Sequence, residues 1–528
     1  MKKKLGTLLV AGVMSFSAMV LGAVAGCSAK AAGDFDMPEG GFDSETPVTI
    51  TFYHTMGKSL REKLDNQIEE FNKLYPNITI EHQQAGGYDD VKTRINTEIQ
   101  AGTQPNIAYC YPDHVALYNT AKAVLSLNDF LPGGVYAETK VTQQVVNERG
   151  NVVLDDDGNP VTEEVALGMS TAQTEMFIEG FYTEGYQFGD GSKMYTLPFA
   201  KSTEVLFYNK DFFDAHSDRI SVPTTWKEMG EVCEEILKIT AEENEGKSDD
   251  EKIYVTPFGY DSESNWFITM CEQYGSGYTS ATGSNQYLFD NDTNHAFVKM
   301  LDEWYKAGYF TTQNLNGPTG GYTSGLFTTV GVGPSNVRSY MCIGSSAGAK
   351  NQIAPIVDND YAFEVGITSI PQVYSTDENH PEYKEGYQPK VISQGPSVCI
   401  FKNDDPQKVL ASWLFVKYLT TNIEFQAEFS SDSGYVPPLK MDYMKQYKAY
   451  DDFLKLQDGY GYLAAYSAQV CLEQSDYYFT SPAFNGSSQA RTEVGYLLQT
   501  VFTDKSDDRD KVIKAAFKNA IEECEYSV

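Results

Sequence analysis

Residues able to do chemistry are few and scattered in this chain, so each is weighed against a plainer role. Gly344-Ser345-Ser346-Ala347-Gly348 matches G-x-S-x-G, the strand-to-helix turn that exposes a nucleophilic serine in α/β-hydrolases. A triad would then need an acid and a histidine after Ser346. Only His380 follows, in a polar loop, and little room is left for the acid-bearing strand between them. The hydrolase reading is therefore the alternative, and a small-residue turn is the expectation. Asp155-Asp156-Asp157-Gly158-Asn159-Pro160 has the acid density of a calcium loop without the distal glutamate spacing, and reads as a solvated hairpin turn. Six histidines without HExxH, and eight cysteines without CxxC, give neither a zinc site nor a disulfide scaffold. No metal or cofactor is expected, and the seven cysteines after Cys27 read as small buried apolar residues.

Arg491 is more informative. Val494, Leu497, Leu498 and Val501 mark one face of a helix beginning near Ser488, which puts Arg491 in its first turn. A cation is disfavoured there by the helix dipole, so the position suggests an anionic partner at a helix N-terminus. A salt bridge to Glu493 or another acid is the competing reading. The chain is 13% aromatic, with 36 Tyr, a supply suited to a cleft that stacks on sugar rings or polyols.

The elements that must position these residues read as α/β. Val48–Tyr53 alternates as a strand. Leu60, Leu64, Ile68, Phe71 and Leu74 follow at helical spacing, and Asn77–Glu81 is a second strand. A strand-helix-strand unit implies parallel pairing. A helix ending at Gly102 and a third strand over 105–110 continue the pattern. Thr225-Trp226-Lys227-Glu228 is a capping box, and Asp405-Pro406 caps another helix. Leu197–Lys210 begins at a Pro-Phe turn and becomes a strand, and is expected to cross between two lobes beside a ligand. Residues 131–192 break the pattern.

At the N-terminus Lys2–Lys4 precede an apolar run that ends at Val24-Ala25-Gly26-Cys27. This is a signal peptide with a lipobox: cleavage after residue 26, acyl chains on Cys27, and a flexible tether over 27–47. The protein is then held on the outer face of the cell membrane of a Gram-positive-type bacterium. The net charge of −33 argues against nucleic acid as a partner.

Several segments together resemble the extracellular solute-binding proteins of family 1, the capture subunits of ABC importers. They are Thr51–Gly57, Gly87-Tyr88-Asp89-Asp90, Pro198–Lys210, Pro223–Trp226, Gly344–Gly348, Ser433-Gly434-Tyr435-Val436-Pro437 and Ser481–Arg491. Within that family the likeness is greatest to the glycerol-3-phosphate-binding branch. The resemblance implies a type II periplasmic-binding-protein-like α/β fold without enzymatic activity. Lobe 1 is expected over 48–202 and 396–435, and lobe 2 over 203–392 and 437–528, with hinges near 202–205, 392–396 and 435–437. It also implies a ligand site from Tyr88, Asp113, Ser202, Ser345 or Ser346, Gly395, Tyr435 and Arg491, with Trp266 as a cleft aromatic. Asp113 stands where a Glu is expected, Val436 replaces Leu, and Lys201 replaces a small polar residue. Lys201 would add positive charge for a phosphate, or a donor for a sugar, if it faces the cleft rather than solvent. The partners implied are a small solute (a glycerol phosphate or glycerophosphodiester, with a neutral sugar or oligosaccharide as the alternative) and ABC permease subunits. A monomer is expected.

Overall fold

The structure is a computed structural model that describes residues 35–456 and 461–526. The expected signal peptide, the expected lipidation site Cys27 and the first part of the expected tether lie outside the described residues. Ten strands build two large sheets: β1 (Val48–His54), β2 (Ile78–Gln84), β3 (Ile107–Cys110), β4 (Leu197–Pro198), β5 (Glu204–Asn209), β6 (Phe258–Tyr260), β7 (Phe310–Thr312), β8 (Met341–Ser345), β9 (Val365–Ser369) and β10 (Ser397–Ile400). The helices that matter below are α1 (Lys58–Leu74), α2 (Tyr88–Ala101), α3 (Pro112–Asn119), α4 (Glu263–Tyr274), α5 (Pro406–Thr421), α6 (Ile423–Ser433), α7 (Tyr462–Glu473) and α8 (Ser487–Thr503).

In lobe 1 the strand order is β2-β1-β3-β10-β4. The β1-α1-β2 unit pairs in parallel from Val48 opposite Ile78, as its spacing predicts, while β10 returns antiparallel to β3. Alternation along β1 buries Val48, Ile50, Phe52 and His54. Leu64 and Phe71 of α1 cover that face together with α5, whose Trp413 stacks on Phe130 at 4.9 Å. The second sheet runs β7-β6-β8-β5-β9, with β5 antiparallel to both its neighbours. Such mixed sheets leave the carboxyl ends of the parallel strands facing a crevice, where ligands of open α/β sheets bind.

Two expectations about boundaries are corrected. Phe35 and Phe42 are buried against Phe130, Tyr136 and Tyr75, so this part of the expected tether is packed on lobe 1. Burying two aromatic rings outweighs the turn-rich composition that suggested a spacer. Leu439, Met444, Tyr450 and Leu454 belong to the lobe 1 core, so the chain returns to lobe 2 only at α7 rather than at 437. The seven cysteines are buried and free.

Three chain segments lie side by side where the sheets meet. Lys201 exchanges backbone hydrogen bonds with Val436 (2.9 and 2.6 Å), and Ser202 with Gln394 (2.9 and 2.8 Å). Residues 131–192 supply what locks them together. Much of this region is a ribbon of Lys140–Gln144 and Thr162–Ala166 laid on lobe 1, and its Asp155 carboxylate accepts the N–H groups of Asp157 and Asn159 in a turn. The same region then carries Glu184 into the crossing. Lys201 is fully buried, and its Nζ donates to both Glu184 oxygens at 2.9 Å and to the Gly395 carbonyl at 3.1 Å. It faces neither cleft nor solvent. Ser397 and Ser393 donate to the same carboxylate at 3.0 and 3.2 Å.

Replacing one member of a buried ion pair strands the other. Lys201→Met is expected to cost about 3–5 kcal/mol, seen as a lower urea midpoint. Combining it with Glu184→Gln is expected to cost less than Lys201→Met alone.

Candidate functional site

Between the lobes lies a cavity of about 370 Å³. From lobe 1 it is built by the starts of α2 and α3. Gly86 takes a φ of +90° and leads into Gly87, whose N–H donates to Asp90 Oδ2 at 2.8 Å. That turn sets Tyr88 as the first residue of α2, facing the cavity. Pro112 opens α3 directly after β3, so Tyr111, Asp113 and His114 stand at the carboxyl end of that strand. Tyr88 and Tyr111 pack ring on ring at 4.7 Å. Tyr435 backs this pair, its phenol oxygen 3.4 Å from that of Tyr88.

Lobe 2 supplies the opposite wall. The α4 helix begins just after β6 and brings Ser262, Ser264 and Asn265 to the cavity. The turn Ser481-Pro482 and the start of α8 bring Ser487, Ser488 and Arg491. Arg491 Nη1 donates to Asn265 Oδ1 at 2.5 Å. Among the described residues Arg491 makes no ion pair, and Glu493 accepts instead from Gln489 at 2.6 Å. The salt-bridge reading of Arg491 is thereby set aside. The floor is the crossing itself, with Glu184, Ser393, Gln394 and Gly395. Gly395 holds a φ of +86°, and a Cβ there would lie 2.3 Å from the Ala200 carbonyl oxygen.

Four expected residues, Tyr88, Asp113, Gly395 and Arg491, thus line one cavity, with Tyr435 behind Tyr88. Five do not line it. Lys201 is consumed by Glu184, and Ser202 is buried in the hinge pairing. Ser346 Oγ is buried and accepts from the Thr203 N–H at 3.2 Å. Ser345 Oγ caps the turn by accepting from the Ala347 N–H. Ser346 has no histidine partner among the described residues, and His380 pairs with Glu228 at 2.7 Å. The nucleophile-elbow pattern is a structural turn. Trp266 is stacked on Tyr260 at 4.7 Å in the lobe 2 core, because its position on α4 faces the sheet.

Burial sets the protonation of the walls. Desolvation raises the phenols of Tyr88, Tyr111 and Tyr278 well above their ordinary range and lowers His114, so these groups meet a ligand uncharged. Tyr278 Oη, His114 Nδ1 and Ser481 Oγ are buried without a partner among the described residues. Asp89, Asp113 and Glu184 contribute carboxylates, while Lys92 and Arg491 contribute cations. Lys92 also spans the lobes: its Nζ donates to Asp89 at 2.7 Å and to Ser488 Oγ at 3.4 Å. This is equipment for grasping a polar solute with hydroxyls and an anionic end. Tyr111 and Asn265 were open to discovery in the sequence, since each closely follows a strand at its carboxyl end. Tyr278 and Glu184 carried no local signal.

Residues 66–455 match the family described as bacterial extracellular solute-binding protein. Over 185 residues the chain is 24% identical to the sn-glycerol-3-phosphate-binding periplasmic protein UgpB of Salmonella paratyphi A, covering 35% of this chain and 34% of the relative. The chain thus spans about a third of the length of that curated relative. Among solved structures it is similar to UgpB from Mycobacterium tuberculosis in complex with glycerophosphocholine. That match has a TM-score of 0.61 and 15% identity, over 91% of this chain and 98% of that one. The cyclic alpha-maltosyl-1,6-maltose binding protein from Arthrobacter globiformis gives a TM-score of 0.59 and 16% identity, over 91% and 100%. At these identities the structural likeness establishes a shared two-lobed fold.

Gly395→Ala is expected to destabilise the protein by more than about 2 kcal/mol, because it forces a left-handed backbone onto alanine and drives Cβ into the Ala200 carbonyl. Chemical denaturation of the variant measures this.

Proposed function

The chain belongs to the bacterial extracellular solute-binding proteins, and from that premise we propose that it captures a glycerol phosphate or glycerophosphodiester between its lobes. It then delivers this solute to an ABC permease. In this reading the protein works outside the cell as a monomer, anchored by acyl chains on Cys27. It binds and does no covalent chemistry.

The observation that carries the reading is Arg491. It lies near the N-terminus of α8, lines the cavity and has no carboxylate partner among the described residues. A guanidinium with free donors beside helix N–H groups is a place for a phosphate. Across the cavity, Asp113 accepts from hydroxyls and the Tyr88–Tyr111 pair covers a carbon skeleton. The cavity volume suits a small ligand, at the lower end of the roughly 300–1,000 Å³ usual for such sites. A ligand held by both walls stabilises the closed arrangement through contacts that neither lobe makes alone.

A neutral sugar is the second reading. The carboxylates Asp89 and Asp113 on one wall favour it, since carboxylates recognise sugar hydroxyls without any need for an anion. The Arthrobacter relative is named for such a ligand.

A thermal-shift panel of sn-glycerol-3-phosphate, glycerophosphodiesters, polyols and oligosaccharides separates these readings, because a ligand of the native state raises Tm. We expect the phosphate-bearing compounds to give the largest shifts. Arg491→Ala is expected to weaken the best of them by about 30-fold or more, the effect of stranding a buried charge. Stabilisation by sugars alone, unchanged in Arg491→Ala, supports the second reading, and no stabilisation by any compound refutes both.

A further inference from the structure

Behind Arg491, one residue deeper than the cavity wall, stands Glu204. It is the first residue of β5, so the strand that enters lobe 2 begins with a buried carboxylate. Asn265 Nδ2 donates to Glu204 Oε1 at 3.1 Å, and Tyr260 Oη donates to Oε2 at 2.5 Å. The Oδ1 atom of the same Asn265 accepts from Arg491 Nη1. One amide therefore links the cavity's arginine to a carboxylate with no cation bonded to it among the described residues.

We propose that Glu204 is a proton-coupled counter-charge for Arg491: seating an anion on Arg491 from the cleft is accompanied by uptake of a proton from solvent at Glu204, so anionic solutes are held more tightly as the pH falls. The inference rests on the reading of Arg491 as the anion contact.

The argument is electrostatic. Arg491 favours the ionised form of Glu204 across Asn265. An anion that pairs with Arg491 cancels that field and adds like charge nearby. Both effects favour the protonated acid, whose O–H can be given to Tyr260 Oη. The carboxylate is poised for this exchange. Burial pushes it up to about 7, against the opposing hydrogen bonds from Tyr260 and Asn265. Of the groups facing it, Tyr260, Asn265 and Arg491 favour the carboxylate and Asp261 favours the acid, so Arg491 is the charge whose neutralisation shifts the balance. Tyr260 and Asp261 come from β6 and its end, Asp261 raising the proton affinity further; Arg491 comes from α8, and Ser345 is its register partner on β8. Glu263, on the same helix as Asn265, is turned away to Thr312 and Asn314.

Reciprocity fixes the direction. If binding takes up protons, affinity for the anion is greatest below the free protein's Glu204 pKa and declines as pH rises through neutrality. A neutral ligand leaves the field of Arg491 in place and shows no such decline.

The test uses the purified full chain and glycerophosphocholine, whose phosphodiester keeps one negative charge from pH 6 to 9. Calorimetric titration in buffers of different ionisation enthalpy counts the protons. We expect uptake of a fraction of a proton near pH 7, and an affinity that falls about five- to tenfold from pH 6 to 8, within the range of ordinary coupling. Glu204→Gln is expected to bind glycerophosphocholine with no uptake attributable to that position and a flat pH profile. A purely structural role for Glu204 would lower stability without flattening the profile. Infrared difference spectra of the wild type, in which a carboxylic acid C=O band appears on binding, give the answer if the variant does not fold. Binding without proton uptake, or uptake retained in Glu204→Gln, overturns the inference and leaves the ligand reading intact. If glycerophosphocholine does not bind, the titration is repeated with sn-glycerol-3-phosphate, and absence of binding by either compound overturns both.

Discussion

The buried pair of Glu184 and Lys201 is the contact through which the two lobes share a geometry. Four chain segments meet on it. The region 131–192 brings the carboxylate, the first crossing brings the ammonium, and Ser393, Ser397 and Thr480 add hydroxyls from the return crossing and from the segment leading to α8. Removing two charges from water costs several kcal/mol each, and their mutual attraction recovers this only when the remaining lone pairs and protons are satisfied. Here they are: both carboxylate oxygens accept from Lys201 and from hydroxyls, and the ammonium also reaches the Gly395 carbonyl. The pair adds little net stability over a well-packed apolar alternative. What it adds is a single arrangement, because any slip of one crossing past another strands a charge. A rotation of the lobes can bend the backbone on either side of this knot while the knot itself stays fixed.

That arrangement explains which parts of the site were legible in the sequence. The β1-α1-β2 unit, the capping box at Thr225 and the Asp405-Pro406 start of α5 are local events, decided by residues three or four apart. Arg491 was readable because it lies close to a helix start marked by its own neighbourhood, whereas Tyr88 and Asp113 came only through the family resemblance; the structure sets both in the first turns of α2 and α3. Lys201 was readable as an anomaly and unreadable as to direction. Its partner lies 17 residues earlier in a region with no helical or strand period, and only the fold brings the two together. Trp266 illustrates the converse. The resemblance implied it as a cleft aromatic, but successive helical residues turn by about 100°, and its place on α4 sends the indole into the stack with Tyr260. The serines of Gly344–Gly348 satisfied a pattern whose chemistry depends on a histidine that the fold holds elsewhere.

The cleft distributes charge in a way that a phosphate-only or a sugar-only site would not require. Carboxylates stand on the α2 and α3 side and at the floor, and Arg491 stands on the α8 side. A solute with hydroxyls at one end and an anion at the other matches that polarity in one orientation and opposes it in the reverse. Lys92 shares in this without being free to follow the ligand, since Asp89 and Ser488 hold it across the mouth. Specificity then comes from placement of opposite charges on opposite walls rather than from net charge, which is strongly negative for the whole chain.

The unpartnered atoms in the walls make the same point from the side of cost. Tyr278, His114 and Ser481 line the cavity, and Tyr278 Oη, His114 Nδ1 and Ser481 Oγ find no partner among the described residues. An unsatisfied buried polar atom costs about 1–3 kcal/mol. The lobes therefore approach one another at a penalty that a solute with donors and acceptors in the right places removes and an apolar molecule of equal volume does not. Burial keeps His114 neutral and Tyr278 protonated, so the requirement is for directed hydrogen bonds and not merely for charge. Rejection of the wrong solute is thus built into the wall, since polar groups left unpaired discriminate more strongly than apolar contact can.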